Sequence, residues 1–199
     1  MNFTELHEYW FGDGSLVDPK YVGERMRFWF SKDAAVDSEI RRRFAPWLAA
    51  YPAEAFTTAA KSERGLLTQV ILLDQVPRNS FRGTPRAFAW DSFARDLARR
   101  GLALGYDKSL SSIEAIFFLL PLEHSEALAD QEESLQRYGE LLERTPEPLR
   151  KITSSTLEYA HRHWEVIKRF GRFPHRNQAL GRPSTDEEIE FLNQPGSVF

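Results

Sequence analysis

The sequence predicts an all-α fold, a compact array of antiparallel helix pairs spanning residues 1–199 as one domain. Three observations carry this. Apolar residues recur at spacings of three and four, stretches of strand-like alternation are missing, and the marked segments start and stop on recognisable capping residues. A chain of 199 residues can bury one sizeable core without a second domain.

The first helix is expected from Phe3 to Phe11, closed by the Gly12-Asp13-Gly14 turn, and the second from Pro19 to Phe30. A third starts after Asp33 as N-cap and carries Ile40, Phe44 and Trp47, with Pro46 as a kink or early break and Pro52 as the stop. Ser62 caps the next, which should reach Gln75 and end at Pro77. Thr84-Pro85 reads as N-cap and first residue of a helix striped with Ala87, Trp90, Ala94, Leu97, Gly101 and Leu104. Ser111 and Glu114 form a capping box for a helix that is apolar nearly all round, Ile113 to Leu120, and therefore central. Pro121 should separate it from a helix ending near Leu142. After the Thr145–Pro148 turn a long helix runs to Phe170, with Gly171 closing it. Ser184 and Glu187 suggest a capping box for a last helix ending at Leu192.

Composition narrows the function classes. Apolar residues make up 42% and charged residues 28%, ordinary for a globular domain, while 15 Phe, 6 Tyr and 5 Trp imply a core of large flat rings. The formal charge is −3 with both signs interspersed, so no basic segment indicates nucleic acid. Absence of cysteine excludes disulfides and thiolate metal sites and fits a reducing, cytoplasmic setting. The N-terminus lacks signal-peptide character, and the longest apolar run, Ile116–Leu122, is well short of the ~20 residues that cross a bilayer. No membrane role is expected.

Helical phase singles out polar residues where apolar ones belong. Leu67, Val70 and Ile71 lead to Asp74. After Pro121 the stripe reads His124, Leu128, Gln131, Leu135, Tyr138 and Leu142, with Glu123 and Asp130 on its flank and Glu126 roughly opposite, in a solvated row with Glu133 and Glu140. In the long helix Leu149, Ile152, Thr156, Tyr159, His163, Val166 and Phe170 share a face, which puts His163 inward and His161 outward. Burying one polar group costs about 1–3 kcal/mol, so these groups should pair. Arg78, Arg82 and Arg86 follow Asp74, and Arg172, His175 and Arg176 follow His163.

Two readings remain open for this set: a buried network that fixes helix packing, or a functional pocket. Metal ligation is disfavoured, because no two of His124, His163, His175 and Asp74 have ligand spacing and the arginines would repel a cation. Nucleophilic chemistry lacks cysteine and a G-x-S-x-G elbow. Acid–base chemistry through Asp74, His124, His163 or His175 remains, and an arginine-rich loop with asparagines suits a carboxylate or phosphate. In this reading Arg78, Arg82, Arg172 and Arg176 hold the anion, His124 or His175 moves a proton, and Asp74 orients its partner.

Three strings, LLDQVPRNSFRGTPRAF (Leu72–Phe88), LPLEHSEALADQE (Leu120–Glu132) and RFGRFPHRNQALGRPSTDEEIEFL (Arg169–Leu192), resemble the hallmark segments of the bacterial "domain of unknown function 924" family. Tyr9-Trp10-Phe11-Gly12 and Trp29-Phe30 fit as well. The resemblance covers nearly the whole chain. It implies an all-α fold classed with tetratricopeptide-like proteins and no agreed activity. Its motif positions here are Asp74, Gln75, Arg78, Asn79, Arg82, Gly83, Glu123, His124, Ser125, Glu126, Gln131, His163, Arg172, Pro174, His175, Arg176 and Asn177. No period near 34 residues accompanies them. The leading expectation is thus a polar pocket for a small anionic ligand, with Asn79, Glu123, Gln131 and Asn177 assisting the arginines. The rival is a protein-interaction module whose polar motifs only stabilise packing. No cofactor is indicated.

Overall fold

The computed structural model describes residues 1–51 and 61–197. These form helices α1 (Phe3–Phe11), α2 (Pro19–Phe30), α3 (Ala34–Leu48), α4 (Glu63–Ser80), α5 (Asp91–Ala103), α6 (Tyr106–Ser109), α7 (Ser112–Glu123), α8 (Leu128–Arg144), α9 (Glu147–Phe170), α10 (Asn177–Leu180) and α11 (Asp186–Leu192). Two 3₁₀ turns, Pro85–Phe88 and Pro174–Arg176, complete them, and no strand occurs among the described residues. Long helices pack on one another, α3 on α4, α4 on α5, α7 on α8 and α8 on α9, the last two pairs across short connections.

The predicted caps largely form. Asp33 accepts from the amides of Ala35 and Val36, Ser62 from Gly65, and the Ser111–Glu114 capping box closes in both directions. Gly171 ends α9 in the left-handed conformation at φ 68°, where a side chain would be strained. The final capping box is shifted by one residue, to Thr185 and Glu188. Ser184 is instead held by Asn177 and Glu187 by Arg169.

Prolines behave differently from expectation. Pro46, Pro77 and Pro121 all lie inside helices, each within the last turn, so α4 continues past Gln75 to Ser80 and α7 runs to Glu123. A proline forfeits one helical hydrogen bond and crowds the turn before it. In α4 nearby carbonyls gain side-chain donors: Arg78 bonds Asp74 O at 2.8 Å and Asn79 bonds Gln75 O at 2.9 Å. The predicted stop at Pro52 lies outside the described residues. The helix expected from Thr84 is split, with a 3₁₀ turn at Pro85–Phe88 and α5 starting only at Asp91. Along α9 Tyr159 is exposed while Thr153, Ala160 and Ile167 are buried, so its inward face is rotated from the predicted stripe.

The core sits around α7, every residue of which is buried and which touches α4, α5, α8 and α9. Rings dominate it: Phe117 meets Trp29 at 4.9 Å, Phe11 at 5.4 Å and Trp10 at 5.8 Å, all edge-to-face. Trp29 Nε1 donates to Trp10 O at 2.8 Å. Arg64 meets Glu114 near the starts of α4 and α7, and Asp74 meets His124 towards their ends. The two helices therefore run side by side in one direction and deliver their C-terminal halves to one place.

Close packing makes two helical glycines respond oppositely. A methyl at Gly101 of α5 would fall 2.5 Å from the Phe118 ring, whereas one at Gly139 of α8 meets nothing within 4 Å. Gly101→Ala should cost about 1–3 kcal/mol through overpacking, and Gly139→Ala should gain about 0.5–1 kcal/mol. Urea unfolding of the two variants reads both signs.

Candidate functional site

Asp74, on the buried face of α4, is 1% exposed. Its Oδ1 accepts from His124 Nδ1 at 2.8 Å and lies 3.1 Å from Arg78 Nη1, and its Oδ2 accepts from Gln75 Nε2 at 2.7 Å. Arg78 also grips Asp91, at the first turn of α5, with both Nη atoms at 2.8 and 2.9 Å. Asp91 was not among the expected residues. Reading Thr84–Leu104 as one helix hid it, because the break at Trp90 is what turns Asp91 towards Arg78.

His124 is the C-cap of α7 rather than part of the following helix, so Glu123 and His124 both leave the end of the central helix. Gln131 holds that end: its Nε2 donates to the carbonyls of Glu123 at 2.6 Å and Ser125 at 2.7 Å. Across α9, His163 Nδ1 donates to Tyr159 O at 2.9 Å and is 3.2 Å from Glu123 Oε1. A carbonyl and a carboxylate can only accept, so Nδ1 carries the proton in both His163 and His124. The two Nε2 atoms are left as acceptors. The His124 and His163 rings lie 6.3 Å apart.

The 171–177 loop completes the cluster. Phe173 packs on His163 at 5.4 Å and on His175 at 5.5 Å. Arg176 is 6% exposed, with its guanidinium 4.4 Å from the Phe173 ring and 4.8 Å from Phe88. No side-chain hydrogen bond to Arg176 occurs among the described residues, its Nε is buried without a partner, and its carboxylate neighbour, Asp91 Oδ2, stands 3.7 Å away.

Asp74, Arg78, Glu123, His124, His163, His175 and Arg176 thus come together. Gln131 supports them through the backbone at the end of α7, and the remaining expected residues do not join them. Arg82 pairs bidentately with Asp37 at 2.5 and 2.9 Å and also bonds Asn79. Arg172 grips Glu188 at 2.6 and 2.8 Å, and Asn177 bonds Ser184 and Glu188. Glu126 is not in a solvated row: it takes Arg182 bidentately at 2.7 and 2.9 Å and the Phe173 amide at 2.8 Å, fastening the loop beneath Arg176. Ser125 belongs to a separate group with Asp130, Arg95 and Arg99. A cleft of about 860 Å³ opens near the starts of α4 and α7, lined by His7, Arg64, Ser111 and Glu114, and contains none of the expected residues. Along α7 alone it lies roughly 14 Å from the histidines, nine residues at ~1.5 Å each. Among the described residues no group of three His, Asp or Glu is placed to hold a metal ion.

Residues 6–196 match the family described as bacterial protein of unknown function (DUF924). The chain belongs to the DUF924 family. It is also similar to a solved protein of unknown function from Agrobacterium tumefaciens, ATU0120, with 31% identity over 96% of each chain and a TM-score of 0.78. No curated protein matches it.

Protonation in this DUF924 site follows from burial and neighbours. Burial would raise the Asp74 carboxyl, but Arg78, His124 and Gln75 outweigh it and hold the group well below the carboxylate range. Burial pushes Glu123 up to about 8 despite the Tyr138 hydroxyl, and the Asp74 charge adds to the rise. At neutral pH the close Glu123–His163 contact therefore joins two neutral groups rather than ions. Burial lowers His163 to about 3, and burial with Arg176 lowers His175 to about 3. Burial lowers His124 as well, reinforced by Arg78.

These shifts predict a stability profile. Glu123 is protonated in the fold and ionised when unfolded between its ordinary value, about 4.3, and about 8. The unfolded chain binds fewer protons there, so stability falls as pH rises through this window. His163 and His175 act oppositely, with stability rising from about 3 to the ordinary histidine range. Between pH 6.5 and 8 only the Glu123 effect remains among these groups. The wild-type melting temperature should fall across that interval, and Glu123→Gln, which copies the neutral acid, should flatten the fall. Thermal melts at stepped pH measure it.

Proposed function

We propose that this chain binds a small anion at Arg176 and exchanges a proton with it through His124. The observation that supports this best is the state of Arg176. It is a buried guanidinium without a close partner, next to an imidazole whose tautomer is fixed by a buried carboxylate. Guanidinium groups beside carboxylates normally complete strong bidentate pairs, as the less buried Arg78, Arg82, Arg172 and Arg182 do here. Asp74 orients His124 with Nε2 free to accept, the arrangement of a general base held by a carboxylate. Side chains of His124, Arg78 and Asp91 are 15%, 15% and 21% exposed, so the cluster reaches solvent on that side. Gln131 and the Glu126–Arg182 pair serve as supports that hold the α7 end and the 171–177 loop.

A protein-interaction role would call for a continuous apolar face. The exposed large apolar residues, including Phe30, Phe93, Leu128, Tyr159 and Ile189, are spread over α2, α5, α8, α9 and α11. Among the described residues no helix is long and apolar enough to cross a membrane. A cytoplasmic setting, consistent with the absence of cysteine, is part of the proposal.

The test separates binding from packing. Arg78→Ala strands Asp74 and Asp91 and should cost about 3–5 kcal/mol. Arg176→Ala breaks no close ion pair and should cost no more than about 1.5 kcal/mol. Small anions should raise the wild-type melting temperature by mass action, and Arg176→Ala and His175→Ala should abolish the gain. Severe destabilisation by both loop variants, with no anion effect on wild type, would assign the cluster to packing alone.

A further inference from the structure

We infer that the anion taken at Arg176 is a carboxylate monoanion rather than a tetrahedral oxyanion such as phosphate or sulfate. This rests on the anion-site reading above and narrows it to a ligand class. Three features of the cluster lead there.

Donor supply is the first. Arg78 has little left for a ligand, because both its Nη atoms hold Asp91 and Nη1 also meets Asp74 and the backbone, which leaves only its Nε–H and one Nη2–H. Arg176 is the guanidinium with an uncommitted fork: its Nε is buried without a partner, and no hydrogen bond to its Nη atoms occurs among the described residues. One planar fork matches the two coplanar oxygens of a carboxylate. A phosphate or sulfate would bring further charged oxygens that need donors of their own.

The walls are the second. The Arg176 guanidinium packs against the rings of Phe88 and Phe173. Rings offer no donor to oxygens that project out of the guanidinium plane, so a flat acceptor is favoured over a tetrahedral one.

Charge is the third. Arg78 and Arg176 carry two positive charges against Asp74 and Asp91, Glu126 is neutralised by Arg182, and burial holds Glu123, against His163, in its acid form. The Nδ1 partners of His124 and His163 favour their neutral tautomers, which burial reinforces. The site is therefore balanced before a ligand arrives, and each negative charge brought in must be answered by a proton entering an imidazole. A monoanion needs one such proton and a dianion needs two. His124 is placed to take the single proton, because its Nε2 is free and Asp74 stabilises the imidazolium.

The experiment is a thermal-shift series on the full chain with formate, acetate, phosphate and sulfate at matched ionic strength and pH, for wild type, Arg176→Lys and Arg82→Lys. Formate and acetate should raise the wild-type melting temperature and phosphate and sulfate should not. Arg176→Lys, which keeps the charge but loses the fork, should lose the gain, whereas Arg82→Lys, paired with Asp37 outside the cluster, should keep it. A shift from phosphate or sulfate equal to or larger than that from acetate would overturn the carboxylate assignment while leaving an anion site standing. An acetate shift that survives Arg176→Lys would overturn the assignment too. If no anion moves the wild-type melt, both the assignment and the underlying site fall together.

Discussion

A carboxylate at 1% exposure in a helix cannot stand alone, and the answer to that constraint organises this molecule. Asp74 is held ionised by Arg78, His124 and Gln75 together. Each partner then makes a demand of its own. Arg78 has more donors than Asp74 alone can satisfy, and the start of α5 supplies Asp91. His124 must approach from the end of α7, which requires α7 to run beside α4 in the same direction and to keep its helix through Pro121. Removing one member of such a group leaves a buried charge uncompensated, which is why the network behaves as a unit.

Arg176 stands outside that logic. Its loop is fixed by two bidentate pairs, Arg182 on Glu126 and Arg172 on Glu188, which hold the backbone while leaving the Arg176 head unbonded. The fold thus spends two well-made ion pairs on positioning a third arginine whose nearest carboxylate, Asp91, stands off at 3.7 Å. A packing network would be expected to close its strongest donor. An unclosed donor beside His124, whose Nδ1 is already committed to Asp74, is better suited to a ligand.

Much of this was legible in the sequence, for identifiable reasons. The limits of α1 and α2 and the end of α9 follow from caps and a closing glycine, which are local signals, whereas α9 starts at Glu147, inside the expected Thr145–Pro148 turn. Asp74 and His163 were visible because a polar residue on an apolar stripe breaks a regular pattern. His124 was identified from a helix to which it does not belong; it is buried because the central helix outlasts its proline. Asp91 was missed and Glu126 was assigned to a solvated row because each gains its role from a partner far along the chain, Arg78 and Arg182, and spacing carries no trace of that. Arg82, Arg172 and Asn177 show the converse. Residue type marked them as anion donors, and the fold gives each a protein partner first.

Family membership leaves the chemistry open, so the decisive evidence lies in the protonation of the cluster itself. Long-range ¹⁵N–¹H spectra of the cluster imidazoles, recorded near neutral pH with and without acetate, address it most directly. The account predicts neutral rings in the free protein, with His124 and His163 protonated on Nδ1, and conversion of His124 to imidazolium as acetate binds. Imidazoles already charged at that pH, or a His124 signal indifferent to acetate, would contradict it.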